Sequence, residues 1–161
     1  MHRLHLLLQR LADAGLEFVV VGGYAGVIHG SAYVTNDVDL CAALSAESIE
    51  KIRGALADLH PVHRMTSRRL SLLEHPPAGQ TLANLYLETT DGVVDILSFV
   101  MGVGDFARLK SAAETVEVAG RTYHVISLED LIAAKEALGR ERDLLAAKEL
   151  RAIAAKRAQK A

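Results

Sequence analysis

The chain has 161 residues, half of them hydrophobic and 24% charged, with a formal net charge of −2. That length supports one domain with a real core, and the balanced charge gives no global signature of nucleic-acid binding, leaving only a local basic patch as an option. A single cysteine, Cys41, excludes an internal disulfide and makes a reducing, cytoplasmic setting the natural expectation.

In chain order, Leu4, Leu7, Leu8 and Leu11 recur at helical spacing, with Gly15 as a stop. The apolar run is short, is broken by Gln9 and Arg10, and has no small-residue cleavage signal behind it, so it reads as an amphipathic helix and not a signal peptide. Phe18-Val19-Val20-Val21 reads as a buried strand ending in the tight turn Gly22-Gly23. A short helix over Tyr24 to His29, stopped by Gly30, is followed by a strand over Asp37 to Leu44. Ser45 caps a helix carrying Ile49, Ile52 and Leu56 on one face, which His60-Pro61 ends. Residues 62–80 give no regular pattern; Arg64, Arg68 and Arg69 suggest exposure, and His75 to Gly79 a turn. Leu82 to Glu88 and Val93 to Val100 read as strands joined at Asp91-Gly92, and Thr115 to Val118 and Thr122 to Ile126 as a second hairpin around Ala119-Gly120. Ser127 caps a helix over Leu128 to Leu138, Gly139 breaks it, and a last helix runs from about Glu141. Beyond Glu149 that helix carries Arg151, Lys156, Arg157 and Lys160 with no acid, a face that is either solvated or available to RNA phosphates. No repeat, linker or membrane-length apolar stretch interrupts the pattern. The expectation is one domain over 1–161: an α/β (α+β) mixed sheet flanked by helices, with C-terminal helices from about 128 packing on it.

The chemistry concentrates in Asp37-Val38-Asp39-Leu40. Alternation along a strand sends both carboxylates to one face, about 7 Å apart along the strand, and Val38 and Leu40 to the other. Side-by-side carboxylates repel, and a hard divalent cation such as Mg²⁺ offsets the repulsion while sharing them with substrate phosphates. Asp95 lies in the apolar run Val93 to Phe99, where an unpaired carboxylate is costly to bury. Sharing a metal with Asp37 and Asp39 would explain it, and three carboxylates can hold two ions. A D-x-D pair alone is more often a solvated strand end. The glycines at 22, 23, 26 and 30 do not give G-x-G-x-x-G, and no Gly-Lys-Ser/Thr follows, so the Rossmann and P-loop readings fail. Gly22-Gly23 can let backbone approach a phosphate or simply make a turn.

These residues resemble the signature of the polymerase-β-like nucleotidyltransferase superfamily: an apolar residue, Gly, Gly or Ser, a spacer, then Asp-apolar-Asp-apolar. Here that is Val21-Gly22-Gly23, thirteen residues, then Asp37-Val38-Asp39-Leu40, with Asp95 in the place of the third carboxylate. A narrower run (His29-Gly30-Ser31, Thr35 to Asp39, Asp95-Ile96-Leu97, Ser127 to Lys135, Gly139-Arg140, Asp143-Leu144) is similar to small AbiEii-like proteins, a group that includes toxins of type IV toxin–antitoxin systems. The resemblance implies transfer of an NMP from an NTP to an acceptor hydroxyl, with Asp37, Asp39 and Asp95 as catalytic and metal-binding residues. It further implies Mg²⁺ as two ions, an RNA (tRNA) acceptor and a cognate antitoxin as partner; the alternatives are nucleotidylation of a partner protein or of a small molecule such as an antibiotic hydroxyl, and a non-catalytic nucleotide-binding module on the same fold. Tyr33 stands where many relatives carry Arg, and the chain is shorter than the large toxins.

Lys135 stands out independently of the resemblance. It falls on the helix face made by Leu128, Leu131, Ile132 and Leu138, where an ammonium group either finds an anion or snorkels to water. Its candidate anions are a triphosphate and the aspartates. Arg140 is a second phosphate-binding candidate. Asp143 is a structural partner for either cation, and Thr35 a phosphate ligand or a support for the turn. His29 is more readily a local structural group than a substrate contact. His2 and His5, and His60 and His63, lack a second ligand pair at metal spacing.

Overall fold

The computed structural model describes residues 3–160; His2 lies outside them. Among the described residues, six α-helices and nine strands follow in chain order: α1 (Leu4–Asp13), β1 (Val19–Val21), α2 (Gly22–Ile28), β2 (Asp37–Cys41), α3 (Ala46–Leu56), β3 (Val62–His63), β4 (Asn84–Thr89), β5 (Gly92–Leu97), β6 (Phe99–Val100), β7 (Gly104–Asp105), α4 (Phe106–Ala112), β8 (Glu114–Val118), β9 (Arg121–Val125), α5 (Leu128–Leu138) and α6 (Glu141–Lys160). Seven strands form one mixed sheet in the order β3-β4-β5-β2-β1-β9-β8, and β6 with β7 form a separate ribbon. β2 pairs antiparallel with β1 and parallel with β5, so it sits at the centre of the sheet.

Each central strand is apolar on the face it buries. Val38, Leu40, Val94 and Ile96 are fully buried. The leucines at 4, 7, 8 and 11 of α1 join Ile49, Ile52 and Leu56 of α3 in the same core, and α1 packs on both α3 and β2. Ser45 caps α3 by accepting from the Ser48 amide, and Ser127 caps α5 by accepting from the Asp130 amide. Each such cap is worth about 1 kcal/mol. Gly139 closes α5 in the left-handed region, at φ +70°, which the Leu138-to-Arg140 turn requires.

Several boundaries differ from the sequence expectation. The strand expected over Val93 to Val100 stops at Leu97. The Ser98 amide turns to the Ala83 carbonyl (3.1 Å), and Phe99-Val100 pairs with β7 across a turn closed by Val103 N–H to Val100 O (3.1 Å). The expected strand over Asp37 to Leu44 stops at Cys41, after which Ala42 donates to Leu97 O (2.9 Å) and the chain leaves the sheet. α4 had no sequence expectation; Asp105 caps it by accepting from the Arg108 amide. The irregular segment after β3 is fixed from beneath by Arg53 of α3, which donates to Leu72 O (2.5 Å) and to Pro76 O. His63 adds a contact to His75 O at 2.8 Å.

α6 is held along its length. Leu150 is buried, Ile153 packs on the core, and Glu149 accepts from Ser31 Oγ (2.5 Å) and the Ala32 amide (3.1 Å). Arg151 bridges to Glu136 of α5, and Arg157 reaches His29 Nδ1 (3.0 Å). His29 is buried and its Nε2 contacts Ile126 O at 2.7 Å, so both of its nitrogens serve the packing of α2, β9 and α6.

Candidate active site

The parallel register of β2 and β5 places Asp39 directly beside Asp95, with Asp37 two residues earlier on the same face of β2. Carboxylate oxygens of Asp37, Asp39 and Asp95 lie within 4.8 Å of one another. Val38, between the two β2 aspartates, points into the core as the alternation requires. Burial pushes the Asp39 carboxyl up to about 6, and the charges of Asp95 and Asp37 push it the same way. Such a cluster of like charges calls for a cation. Oxygen ligands alone, converging from two strands, suit a hard divalent ion such as Mg²⁺.

A cation from the protein already serves one member. Arg64, just past β3, donates to Asp95 through Nε to Oδ1 (3.2 Å) and through Nη2 to Oδ2. Its guanidinium also lies 5.7 Å from the Tyr86 ring centroid, and its backbone amide donates to Tyr86 O (3.0 Å). Tyr86 is the register partner of Asp95 across β4 and β5. A metal shared with Asp37 and Asp39 is therefore not the whole answer to the buried Asp95: Arg64 offsets its charge in part. Burial still outweighs that pairing, and the Asp95 carboxyl stays above its ordinary range.

Gly22 closes the floor of the site. Its φ is +64°, and a Cβ there would stand 2.1 Å from Asp39 Oδ2. A side chain is thus excluded twice, by backbone conformation and by the carboxylate it would strike. The Gly-Gly pair is not a loop before a helix: both residues form the first turn of α2. A Cβ on Gly23 would meet Thr35 Oγ1 at 3.3 Å. Thr35 donates its hydroxyl to the Asp37 carbonyl (3.1 Å), so it supports the backbone that carries Asp37.

Lys135 of α5 faces the same site. Its side chain is 19% exposed, its charge acts on Asp39, and its Nζ lies 3.9 Å from Asp143 Oδ1. Asp143, 3% exposed, is held more tightly by Arg140, whose Nε donates to Oδ2 at 2.5 Å. Asp143 therefore ties the α5–α6 junction and orients both cations. Leu138, expected on the buried face of α5, is 45% exposed at the rim of the site.

Two cavities meet at the aspartates. One, of about 350 Å³, is lined by Gly22, Gly23, Ser31, Thr35, Asp37 and Asp39 among others. The other, of about 450 Å³, is lined by Asp37, Asp39, Asp95, Arg64, Tyr86 and the apolar side chains of Leu97, Val100, Met101, Leu131 and Leu138, among others. Lys135, Arg140 and Arg142 line both, whereas Asp95 lines only the second. Sequence reasoning missed Arg142 and Tyr86 and read Arg64 only as a mark of exposure. A buried acid at Asp95 announces that some cation is needed, but nothing in the sequence says which of the arginines reaches it.

No protein-family model and no curated protein matches the chain. Solved structures do. The lincosamide antibiotic adenylyltransferase LnuA, in its lincomycin-bound form, superposes with a TM-score of 0.63 at 18% identity, covering 95% of this chain and 97% of its own. TM1012 from Thermotoga maritima, assigned as a nucleotidyltransferase, gives 0.59 at 20% identity, covering 95% of this chain and 91% of its own. The chain has the nucleotidyltransferase fold. The antibiotic-resistance factor ANT(2'')-Ia has the same fold at a TM-score of 0.51 and 15% identity, covering 98% of this chain and 94% of its own. In this nucleotidyltransferase fold the three carboxylates sit on neighbouring central strands, and α5 and α6 bring basic side chains over them. Among the described residues no helix is long and apolar enough to cross a membrane.

Proposed function

We propose that the chain is a metal-dependent nucleotidyltransferase that moves an NMP from an NTP to an acceptor hydroxyl, and the observation that carries this reading is the convergence of Asp37, Asp39 and Asp95 within 4.8 Å. Asp37, Asp39 and Asp95 are the residues that would hold Mg²⁺, which when bound supplies charge neutralisation and Lewis-acid polarisation of the phosphoryl oxygens. The triphosphate lies in the cavity lined by Gly22, Gly23 and Thr35, next to Asp37 and Asp39, and glycine at 22 lets the Asp39 carboxylate lie against the backbone there. Lys135, Arg140 and Arg142, common to both cavities, face its negative charge. The acceptor occupies the second cavity, the one Asp95 lines. Its hydroxyl oxygen bonds to the α-phosphorus, the bond from that phosphorus to the bridging oxygen breaks, pyrophosphate leaves, and the hydroxyl proton passes to Asp95.

The apolar side chains lining the second cavity, Leu97, Val100, Met101, Leu131 and Leu138 among them, favour a small-molecule acceptor. The solved neighbours LnuA and ANT(2'')-Ia, antibiotic-modifying and antibiotic-resistance proteins, support the same class. An RNA acceptor, implied by the AbiEii-like resemblance, draws its support from the basic end of α6. Arg151 and Arg157 there are committed to Glu136 and to His29 and Glu114, leaving Lys156 and Lys160 to contact phosphates.

The test supplies Mg²⁺, each α-labelled NTP in turn, and three acceptor pools: total RNA, lysate protein and a small-metabolite fraction. Label moving to one pool with the native chain, and reduced more than about 100-fold in Asp39→Ala, supports the reading, since changes outside the ligand set cost only about 10–100-fold. Label that stays in NTP, or moves equally with the variant, overturns it.

A further inference from the structure

The two edges of the main sheet are finished differently. β3, at one edge, has two residues; β8, at the other, has five. Sheets usually blunt an exposed edge with a short strand, a Lys, a Pro or a bulge. β8 reads Glu114-Thr115-Val116-Glu117-Val118 and holds no Lys or Pro, and its register with β9 is unbroken from Glu114↔Val125 to Val118↔Arg121. Its acids give little protection. Glu114 is paired with Arg157 (3.5 Å), which leaves only Glu117.

The hairpin turn decides which backbone groups of β8 are free. Ala119 and Gly120 both have positive φ, +52° and +83°, as a two-residue type I′ turn requires. Val118 and Arg121 are then the closing hydrogen-bonded pair, and the alternation of an antiparallel ladder turns the backbone groups of Glu114, Val116 and Val118 toward β9. Those of Thr115 and Glu117 point away from the sheet. Both residues are exposed, and no backbone hydrogen bond from elsewhere in the described residues reaches those groups.

A second β8, antiparallel, fits that edge. Thr115 and Glu117 must face outward-pointing residues of the other copy, which a two-fold axis at residue 115, 116 or 117 allows. An axis at 117 sets Glu117 against Glu117, and like charges directly opposite are destabilising. An axis at 115 sets Val116 against Glu114. An axis at 116 sets valine on valine and each Thr115 hydroxyl beside a Glu117 carboxylate that can accept from it. The strand is its own complement in that register. The two-fold also keeps matching sheet faces together. On the face of Val116 and Val118 lies a groove of about 620 Å³, lined by these two with His5, Tyr24, Val27 and Ile28 among others. The grooves of the two copies meet across the paired valines and cover each other's apolar lining.

We infer that β8 pairs with β8 of a second copy of this chain, antiparallel about Val116, joining two seven-stranded sheets into one. The pairing uses no residue of the aspartate site and stands apart from the transfer reading.

Sedimentation equilibrium and cysteine scanning test it. The native chain should be dimeric at about 100 µM, well above a micromolar dissociation constant. Thr115→Pro removes an N–H that β9 does not use, a change that edge strands tolerate. It should give a monomer whose circular dichroism matches that of the native chain. In a non-hydrogen-bonded antiparallel pair the Cα atoms stand about 4.5 Å apart, within disulfide reach. Val116→Cys should therefore cross-link two copies under mild oxidation, and Thr115→Cys and Glu117→Cys should not. Cys41 is fully buried and does not compete. A monomeric native chain overturns the inference and leaves the edge to an extended segment of another protein. A dimer that survives in folded Thr115→Pro, or cross-linking at 115 or 117 in preference to 116, overturns it as well. If Thr115→Pro unfolds, the cross-linking pattern decides.

Discussion

A methyl group at Gly22 would stand 2.1 Å from Oδ2 of Asp39, in a backbone conformation that L side chains rarely adopt. Gly22→Ala should therefore lower stability by about 1–3 kcal/mol and weaken Mn²⁺ binding, as read by denaturant titration and by electron paramagnetic resonance of free Mn²⁺. Gly54→Ala, in α3 with open space around it, should stabilise by about 0.5–1 kcal/mol and leave Mn²⁺ binding unchanged. Equal loss of Mn²⁺ in both variants would separate Gly22 from the site. Arg64 gives a second test at this scale. Removing it in Arg64→Ala leaves the buried Asp95 without its hydrogen-bonded cation, and should cost about 1–3 kcal/mol in the metal-free protein. The same change removes the group that competes with a metal for Asp95, so Mn²⁺ should bind more tightly to the variant. Weaker Mn²⁺ binding would mean that Arg64 assists the ion. Residue parity alone was enough to read Asp37 and Asp39 as one-faced, and an apolar run enough to single out Asp95. Arg64 was not readable, because its approach depends on a loop that Arg53 and His63 fix through backbone carbonyls.

At the level of elements, the α5–α6 junction sets where Lys135 and Arg140 stand, and Asp143 is its pin. The Arg140 hydrogen bond holds the Asp143 carboxyl below its ordinary range. A carboxyl whose folded pKa is depressed contributes stability that is present above its unfolded pKa and is lost as pH falls through the folded one. Native protein should therefore exceed Asp143→Asn in stability near neutral pH, with the gap closing on acidification below the ordinary carboxylate range; urea titrations across pH check this. A gap independent of pH would show that packing, not the ion pair, holds the junction. Leu150, 2% exposed, seats α6 on the core, and Leu150→Ala should cost about 2–5 kcal/mol. Helical periodicity and the Ser127 and Gly139 signals made α5 and α6 readable. α4 and the β6–β7 ribbon were not, because a seven-residue helix and two-residue strands carry too little pattern to rise above their surroundings.

For the whole molecule, what matters is that a parallel pairing between β2 and β5, separated by α3 and the β3–β4 excursion, brings Asp39 and Asp95 into register. Strands β1, β2, β4, β5, β8 and β9 were legible in the sequence and β3, β6 and β7 were not; strand order and register were not legible either, since many sheet orders bury the same side chains. The resemblance to nucleotidyltransferases supplied the expectation that these acids meet, and the sheet explains how. The two cavities follow from the same centre, with Asp37 and Asp39 at the wall they share. The most direct test of metal-bound nucleotide at that wall is anomalous diffraction from crystals grown with Mn²⁺ and an α,β-methylene NTP. The account predicts an anomalous peak ligated by Asp37 and Asp39 and by an α-phosphate oxygen, with the triphosphate beside Gly22 and Gly23. A nucleotide bound elsewhere, or a peak that Asp37 and Asp39 do not ligate, would contradict it.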